Sequence, residues 1–137
     1  MMDWQDCCNK FVKEVKADKP MIHSLIISSK NKFLSEQQLK LSDITAASKV
    51  ILAYDSVREL LEAIALEQGY KVYNHECYGA FIAEILHLSM LAQEFDSLRK
   101  VRNAINYYGK EISKIEADDI ITRIYEVRKN FLKDTTR

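Results

Sequence analysis

Three glycines and one proline in a 137-residue chain leave few points where the backbone can turn sharply. Ordinary usage of these two residues together is roughly 12%. A sandwich or barrel needs a turn about every 8–12 residues. The shortage therefore points away from β architectures and towards long helices. Hydrophobic residues at 47% and charged residues at 29% fit a folded domain and not a disordered chain. A chain of this length buries about two-thirds of its unfolded surface, so it needs neither a disulfide nor a metal to fold. The sequence reads as one all-α domain over residues 1–137, an up-and-down antiparallel bundle of about five helices.

Twenty Lys and Arg balance twenty Asp and Glu, giving a formal net charge of zero. That excludes a globally basic nucleic-acid binder but leaves a local basic face open. Cys7, Cys8 and Cys77 form no CxxC pair and no Cys/His spacing suited to zinc, so no metal or other cofactor is expected. An odd number of thiols behind a start, MMDWQDCCNK, that has no apolar run points to a reducing cytoplasm. No stretch of 18 apolar residues occurs, so no membrane partner is expected.

Helical periodicity predicts a first helix from Asp3 to about Ala17, carrying Trp4, Cys8, Phe11 and Val15 on one side. Pro20 suits the first turn of a second helix running to about Leu39, although its middle, Ser28 to Lys32, is polar. Ser42 or Asp43 is expected to cap a long third helix ending at Gly69. Its stripe of Ile44, Ala47, Ile51, Tyr54, Leu61 and Ala65, widened by Val50, Val57, Leu60 and Ile64, marks it as central. Arg58 lies inside that stripe, with Asp55 and Glu62 placed to pair with it. A further helix is expected from His75 or Glu76, with Phe81, Ile85 and Leu88 inward and either a bend or continuity around Met90 to Glu94. The next carries Leu98, Val101, Ile105 and Tyr108 as its core stripe and stops at Gly109. Ser113 and Glu116 form a capping box for a last helix with Ile120, Ile124, Val127 and Phe131 inward. No segment reads as a strand; YKVY is short and bounded by Gly69 and a helix start.

The chemistry concentrates in RKVRNAINYYG, residues 99–109. On a helix, Arg99, Arg102, Asn103 and Asn106 share a polar face that Tyr107 extends. Arginine suits bidentate phosphate contacts, and asparagine and tyrosine add hydrogen bonds that orient a sugar or base. A merely solvated face is the plain alternative. In Lys71 to Glu76, His75 is a candidate general base or nucleotide contact, against the plain reading that Asn74 caps a helix and His75 fills its first turn. His23 and His87 stand singly, and no Gly-rich phosphate loop, HExxH or Ser/His/Asp pattern occurs.

Ala53-Tyr54-Asp55-Ser56-Val57-Arg58, continuing to Glu62-Ala63 and Gly69-Tyr70-Lys71, resembles the second helix of HEPN (higher eukaryotes and prokaryotes nucleotide-binding) domains. Asn74-His75-Glu76 is similar to the loop histidine before the next helix of that family, and Arg102-Asn103 with Tyr107-Tyr108 falls where it carries an Arg-x(4–6)-His signature. The resemblance covers residues 43–137, leaving the helices within residues 3–40 alike only in character. It implies a dimerising bundle. In active members, paired motifs form a metal-independent ribonuclease site, the arginine holding the scissile phosphate and the histidine working on the 2′-hydroxyl. Many prokaryotic members are toxins, or partners of small nucleotidyltransferases that adenylylate a tyrosine beside the motif.

This chain has Tyr107, Tyr108 and Gly109 where the motif histidine would stand. Tyrosine, with a pKa near 10, is a poor general base at pH 7. The resemblance thus implies a non-catalytic or impaired nucleotide- or RNA-binding protein, or a nucleotidyltransferase partner, within a toxin–antitoxin-like or defence module. Its cleft would be lined by Arg99, Arg102, Asn103, Asn106 and Tyr107, with Arg58 in support and Tyr107 or Tyr108 open to modification. The alternative is an active endoribonuclease toxin in which Arg102 works with His75 or Tyr107 in place of the missing histidine.

Overall fold

The computed structural model describes residues 1–135; residues 136 and 137, the end of the segment carrying the resemblance, lie outside the described residues. The elements run α1 (Trp4–Lys10), β1 (Val12–Glu14), α2 (Lys19–Gln38), α3 (Ala46–Glu67), β2 (Tyr70–Val72), α4 (Cys77–Ala80), a π-helical turn (Phe81–Ile85), α5 (Ser89–Tyr108) and α6 (Lys114–Thr135). The fold is an all-α bundle carrying one small two-stranded ladder.

Helix α3 occupies the middle, touching α2, α5, α6 and β2. Val50, Ala53, Tyr54, Val57, Leu60, Leu61, Ile64 and Ala65 are all buried, so apolar side chains cover more than one side of it. Phe81 and Ile82, Phe95 and Leu98 of α5, and Ile120, Ile124, Val127 and Phe131 of α6 complete that core. Two residues expected in apolar stripes lie outside: Ile44 is 93% exposed and Tyr108 is 84% exposed. Each sits beyond the packed turns, Ile44 before α3 begins and Tyr108 on the last residue of α5.

Helix α2 runs unbroken through its polar middle because those polar groups meet partners on α3. Ser29 Oγ donates to the Ser56 carbonyl at 2.5 Å, and Lys32 pairs with Glu59. Glu36 is fully buried; Lys49 Nζ lies 2.9 Å from its carboxylate and Tyr125 donates its hydroxyl to it. Lys49 also donates to the carbonyls of Glu36 and Leu39, at 2.8 and 2.7 Å, tying off the end of α2. Pro20 stands in the first turn, where Asp18 caps the helix.

Several boundaries differ from the periodicity. Helix α1 ends at Lys10, and Val12, Lys13 and Glu14 pair antiparallel with Val72, Lys71 and Tyr70. The absence of strands is thereby corrected. Two three-residue strands far apart in sequence stabilise each other only once the helices are assembled, which local pattern does not register. Gly69 closes the ladder at φ 90°, a left-handed conformation that glycine adopts freely, and its carbonyl accepts from Val15 N at 2.8 Å. Asp43 does not cap α3. Its carboxylate accepts from Lys114 N at 2.8 Å at the start of α6, while Ser42 accepts from Thr45 N at 3.2 Å. The expected helix from His75 through Leu88 is only a short α-turn and a π-turn. The chain then reverses at His87, φ 59°, leaving Leu88 38% exposed instead of inward. Met90 to Glu94 are simply the start of α5. Gly109 ends α5 in the left-handed conformation, and the Ser113–Glu116 capping box opens α6.

The cysteines also differ from expectation. Cys7 and Cys77 are joined in a disulfide, both fully buried, and Cys8 alone is free. The β1–β2 ladder carries α1 against α4 and so brings together thiols whose sequence separation is 70. Among the described residues, no helix is long and apolar enough to cross a membrane, and no group of three His, Cys, Asp or Glu is placed to hold a metal ion.

The buried Glu36–Lys49 pair gives a direct test of the α2–α3 clasp. Glu36→Ala strands the Lys49 charge inside the protein and is expected to cost about 3–5 kcal/mol in urea unfolding. Glu126→Ala, whose side chain is 68% exposed beside Lys129 on α6, is expected to change stability by less than about 0.5 kcal/mol.

Candidate functional site

Helix α5, the β2–α4 loop and the end of the N-terminal arm at Phe11 meet at a cavity of about 380 Å³. Arg99, Arg102, Asn103 and Tyr107 of α5 form one wall, Tyr73 to Glu76 a second, and Phe11 closes the side by β1. His75 and Arg102 therefore line the same space, which their separation in sequence did not disclose.

The loop wall is set by backbone and cap geometry. Asn74 Oδ1 accepts from Glu76 N at 3.0 Å, and the Asn74 carbonyl accepts from Cys77 N at 2.9 Å, turning the chain into α4. Asn74 thus has its plain capping role while His75, beside it, faces the arginines' field. Tyr73 N donates to the Phe11 carbonyl at 2.7 Å, which fixes the loop against the N-terminal arm.

Arg102 is held from three sides. Its guanidinium lies 3.5 Å from the Asp55 carboxylate and 3.5 Å from Asn103 Oδ1. The Tyr54 and Tyr107 rings sit 5.5 and 5.9 Å from its centre, within cation–π reach. Asp55, expected to pair with Arg58, pairs with Arg102 instead; Arg58 reaches Glu62 at 3.0 Å and Glu59 at 3.8 Å. This follows from position, because Arg102 approaches α3 across the helix interface while Glu59 and Glu62 lie along the same helix as Arg58. Arg99 pairs with Asp96 at 3.0 Å.

Three buried polar atoms here lack hydrogen-bond partners: the Tyr54 hydroxyl, Arg102 Nε and Asp55 Oδ1. A buried donor or acceptor left unmade costs about 1–3 kcal/mol, so the turn bearing Tyr54 and Asp55 stores unspent hydrogen-bonding capacity beneath Arg102. Burial holds the Tyr54 hydroxyl well above its ordinary pKa, so it remains an O–H donor throughout the neutral range.

His75 is pushed down to about 4, first by burial and then by repulsion from Arg58, Arg102 and Arg99. It is neutral at pH 7 and so presents a ring nitrogen that accepts a hydrogen bond, while the surrounding charge opposes its protonation. All three arginines act on it although each has a carboxylate neighbour, so the cavity keeps a positive field within a neutral molecule. Chemically, the arrangement can bind an anion at Arg102 and Arg99, rest a flat group against the exposed Tyr73 and Tyr107, and accept a hydrogen bond at the neutral His75 ring.

The other candidates fall outside. Asn106 is exposed and does not line the cavity, and Tyr108 points to solvent at the helix end. Arg58 contributes its field without lining the wall. Phe11, Tyr54 and Asp55 are the contributors that sequence reasoning did not assign to the site. Asp55 alone had a signal, one of two carboxylates, with Glu62, flanking the single arginine Arg58 on α3. A larger groove of about 840 Å³, between Asp43 to Ala47 and Gly109 to Glu116, carries neither arginine nor histidine.

Because His75 is depressed when folded, the unfolded chain takes up its proton first. Above about pH 6.5 both states are neutral and the stability is fully present; it falls as the pH drops from 6.5 towards 4. NMR titration of the His75 ring is expected to show a midpoint near 4, and Arg58→Gln or Arg102→Gln to move it upwards. A midpoint near 6.5 in the native protein contradicts the described field.

No family model matches the chain, and no solved structure matches it. Among curated proteins, the chain is similar to two from Rickettsia rickettsii, of strains Sheila Smith and Iowa, each described as ribosome maturation factor RimM. Each is 27% identical over 109 residues, covering 72% of this chain. The chain spans 64% of the length of these relatives.

Proposed function

We propose that the chain is a HEPN-type protein that binds a phosphate-bearing nucleotide or RNA segment in the Arg102 cavity without efficient catalysis. One observation carries the reading: the fold gathers His75, Arg99, Arg102, Asn103 and Tyr107 around one space. Arg102 would take the phosphate, since its guanidinium lines the cavity and its donors are fixed in direction by Asp55 and Asn103. Arg99 would add a second cationic contact, and Tyr107, 69% exposed, a stacking surface for a base. The name borne by the two relatives, ribosome maturation factor, is compatible with RNA as the ligand.

The reading includes a homodimer, a cytoplasmic setting in a toxin–antitoxin-like or defence module, and a small nucleotidyltransferase partner. The exposure of Tyr107 and Tyr108 leaves both hydroxyls accessible to AMP transfer by such a partner. A second reading, a metal-independent ribonuclease, is favoured by one feature: His75 shares the cavity with Arg102 and stays neutral. The same depressed pKa makes its ring a weak base for the 2′-hydroxyl proton and leaves almost none of it protonated at pH 7 to supply the leaving oxygen. Both acid–base roles are therefore weak at neutral pH, which favours binding over turnover.

A single assay separates the readings: fluorescent oligouridylate of about ten nucleotides, with chelator, followed for both binding and cleavage. Arg102→Ala is expected to weaken binding roughly 10- to 100-fold, as loss of charge-assisted contacts implies. Lys129→Ala, distant on α6, is expected to leave it unchanged. Cleavage lost in both His75→Asn and Arg102→Ala establishes the ribonuclease; binding indifferent to Arg102→Ala contradicts both readings.

A further inference from the structure

The N-terminal arm takes part in the cavity, and it is fastened there by the Cys7–Cys77 disulfide. Phe11 lines the wall one helical turn beyond Cys7, and Cys77 opens α4 directly after His75 and Glu76. The Cys77 amide is bonded to Asn74 and the Tyr78 amide to His75, at 2.9 and 3.1 Å. The disulfide thus connects the two segments that carry Phe11 and His75, across a sequence separation of 70.

We propose that the Cys7–Cys77 bridge is a redox-sensitive latch that sets the shape of the Arg102–His75 cavity, closed when oxidised and loosened when a dithiol reduces it. Closing so long a loop removes much of the freedom of the open chain, so the bridge is the strongest single constraint on the arm. What remains without it is modest. Helix α1 has seven residues, too few to persist alone, and the ladder has three residue pairs. Trp4 keeps the arm near its place, donating its amide to Glu84 at 2.6 Å with its ring 5.1 Å from Tyr70 and 5.6 Å from Phe81. Reduction therefore loosens the wall rather than detaching the arm. In the cytoplasmic setting proposed above, a disulfide is characteristically transient and redox-responsive.

The chemistry is ordinary exchange. A thiolate of the external dithiol attacks one sulfur, the Cys7–Cys77 bond breaks, and a mixed disulfide forms. The reductant's second thiol then displaces the remaining sulfur. Two electrons and two protons end on the Cys7 and Cys77 thiols, and the reductant leaves as a disulfide. Cys8 is exposed next to the bridge but is a poor internal attacker, because partial burial and the nearby Glu14 and Glu84 raise its thiol pKa. Both bridged cysteines are fully buried, so attack waits for the arm to open.

The latch is tested on the full chain by hydrogen exchange of the Tyr73 amide, which reports the contact with Phe11, before and after dithiothreitol. Alkylation and mass spectrometry fix the redox state: Cys8 alone labelled in the oxidised protein, all three cysteines in the reduced one. Reduction is expected to speed Tyr73 exchange at least about tenfold, reversibly, while α3 amides keep their protection. The Cys7→Ser/Cys77→Ser variant is expected to match the reduced protein. If it fails to fold, the reversibly reduced wild type supplies the comparison. Unchanged Tyr73 exchange, or three reactive thiols in the unreduced protein, overturns the latch. The effect on ligands rests on the reading given under Proposed function, and oligouridylate binding is expected to weaken about tenfold on reduction. Equal, Arg102-dependent binding in both states overturns control of the site. Absence of binding in either state overturns the ligand reading alone, and the exchange result still decides the latch.

Discussion

The burial of α3 on most of its surface is the constraint from which the other features follow. A helix enclosed by α2, α5, α6 and β2 has little solvent to offer its polar groups, so most are met by a neighbour. The Ser56 carbonyl, Glu59 and Lys49 are met by Ser29, Lys32 and Glu36 of α2. Asp55 is met by Arg102 of α5. The first set closes the bundle with charges that are costly to disturb. The second leaves an arginine at the edge of the core, partly satisfied and next to an open cavity.

That difference separates structure from site. Around Glu36 the charges are closely paired, with Lys49 making its contacts and Tyr125 adding a hydroxyl, although Glu36 Oε1 and Glu59 Oε2 accept no hydrogen bond. Around Arg102, three polar atoms remain without hydrogen bonds, the ion pair with Asp55 is 3.5 Å long, and an adjacent histidine is kept neutral by burial and, after that, by positive charge. Each such loose end costs stability, and among the described residues only those near Arg102 border a cavity that also holds a perturbed histidine. Perturbed titration in a cavity is an established marker of function when geometry also points there.

Much of the architecture was legible because it rests on local periodicity. The scarcity of Gly and Pro, the broad stripe of α3 and the capping box at Ser113 each act within a turn or two of helix. What was not legible depends on residues distant in sequence. The β1–β2 ladder, the Cys7–Cys77 bridge and the crossing of Asp55 to Arg102 exist only after assembly. The same holds for the cavity. Arg99, Arg102, Asn103 and Tyr107 could be grouped from helical spacing alone, and His75 could be singled out, but their meeting required the fold. Asn106 was misplaced because it lies on the outer edge of the polar face, and Tyr108 because apolar spacing continued past the end of packing.

The central claim is that the Arg102 cavity, and not the larger groove near Ile112, receives a phosphate-bearing ligand. The most direct measurement is an amide NMR titration of the labelled protein with adenosine monophosphate and with oligouridylate. The account predicts that shifted resonances concentrate in residues 73–76 and 99–107 and vanish in Arg102→Ala. Shifts gathered instead around residues 43–47 and 109–116, or unaffected by Arg102→Ala, would contradict it.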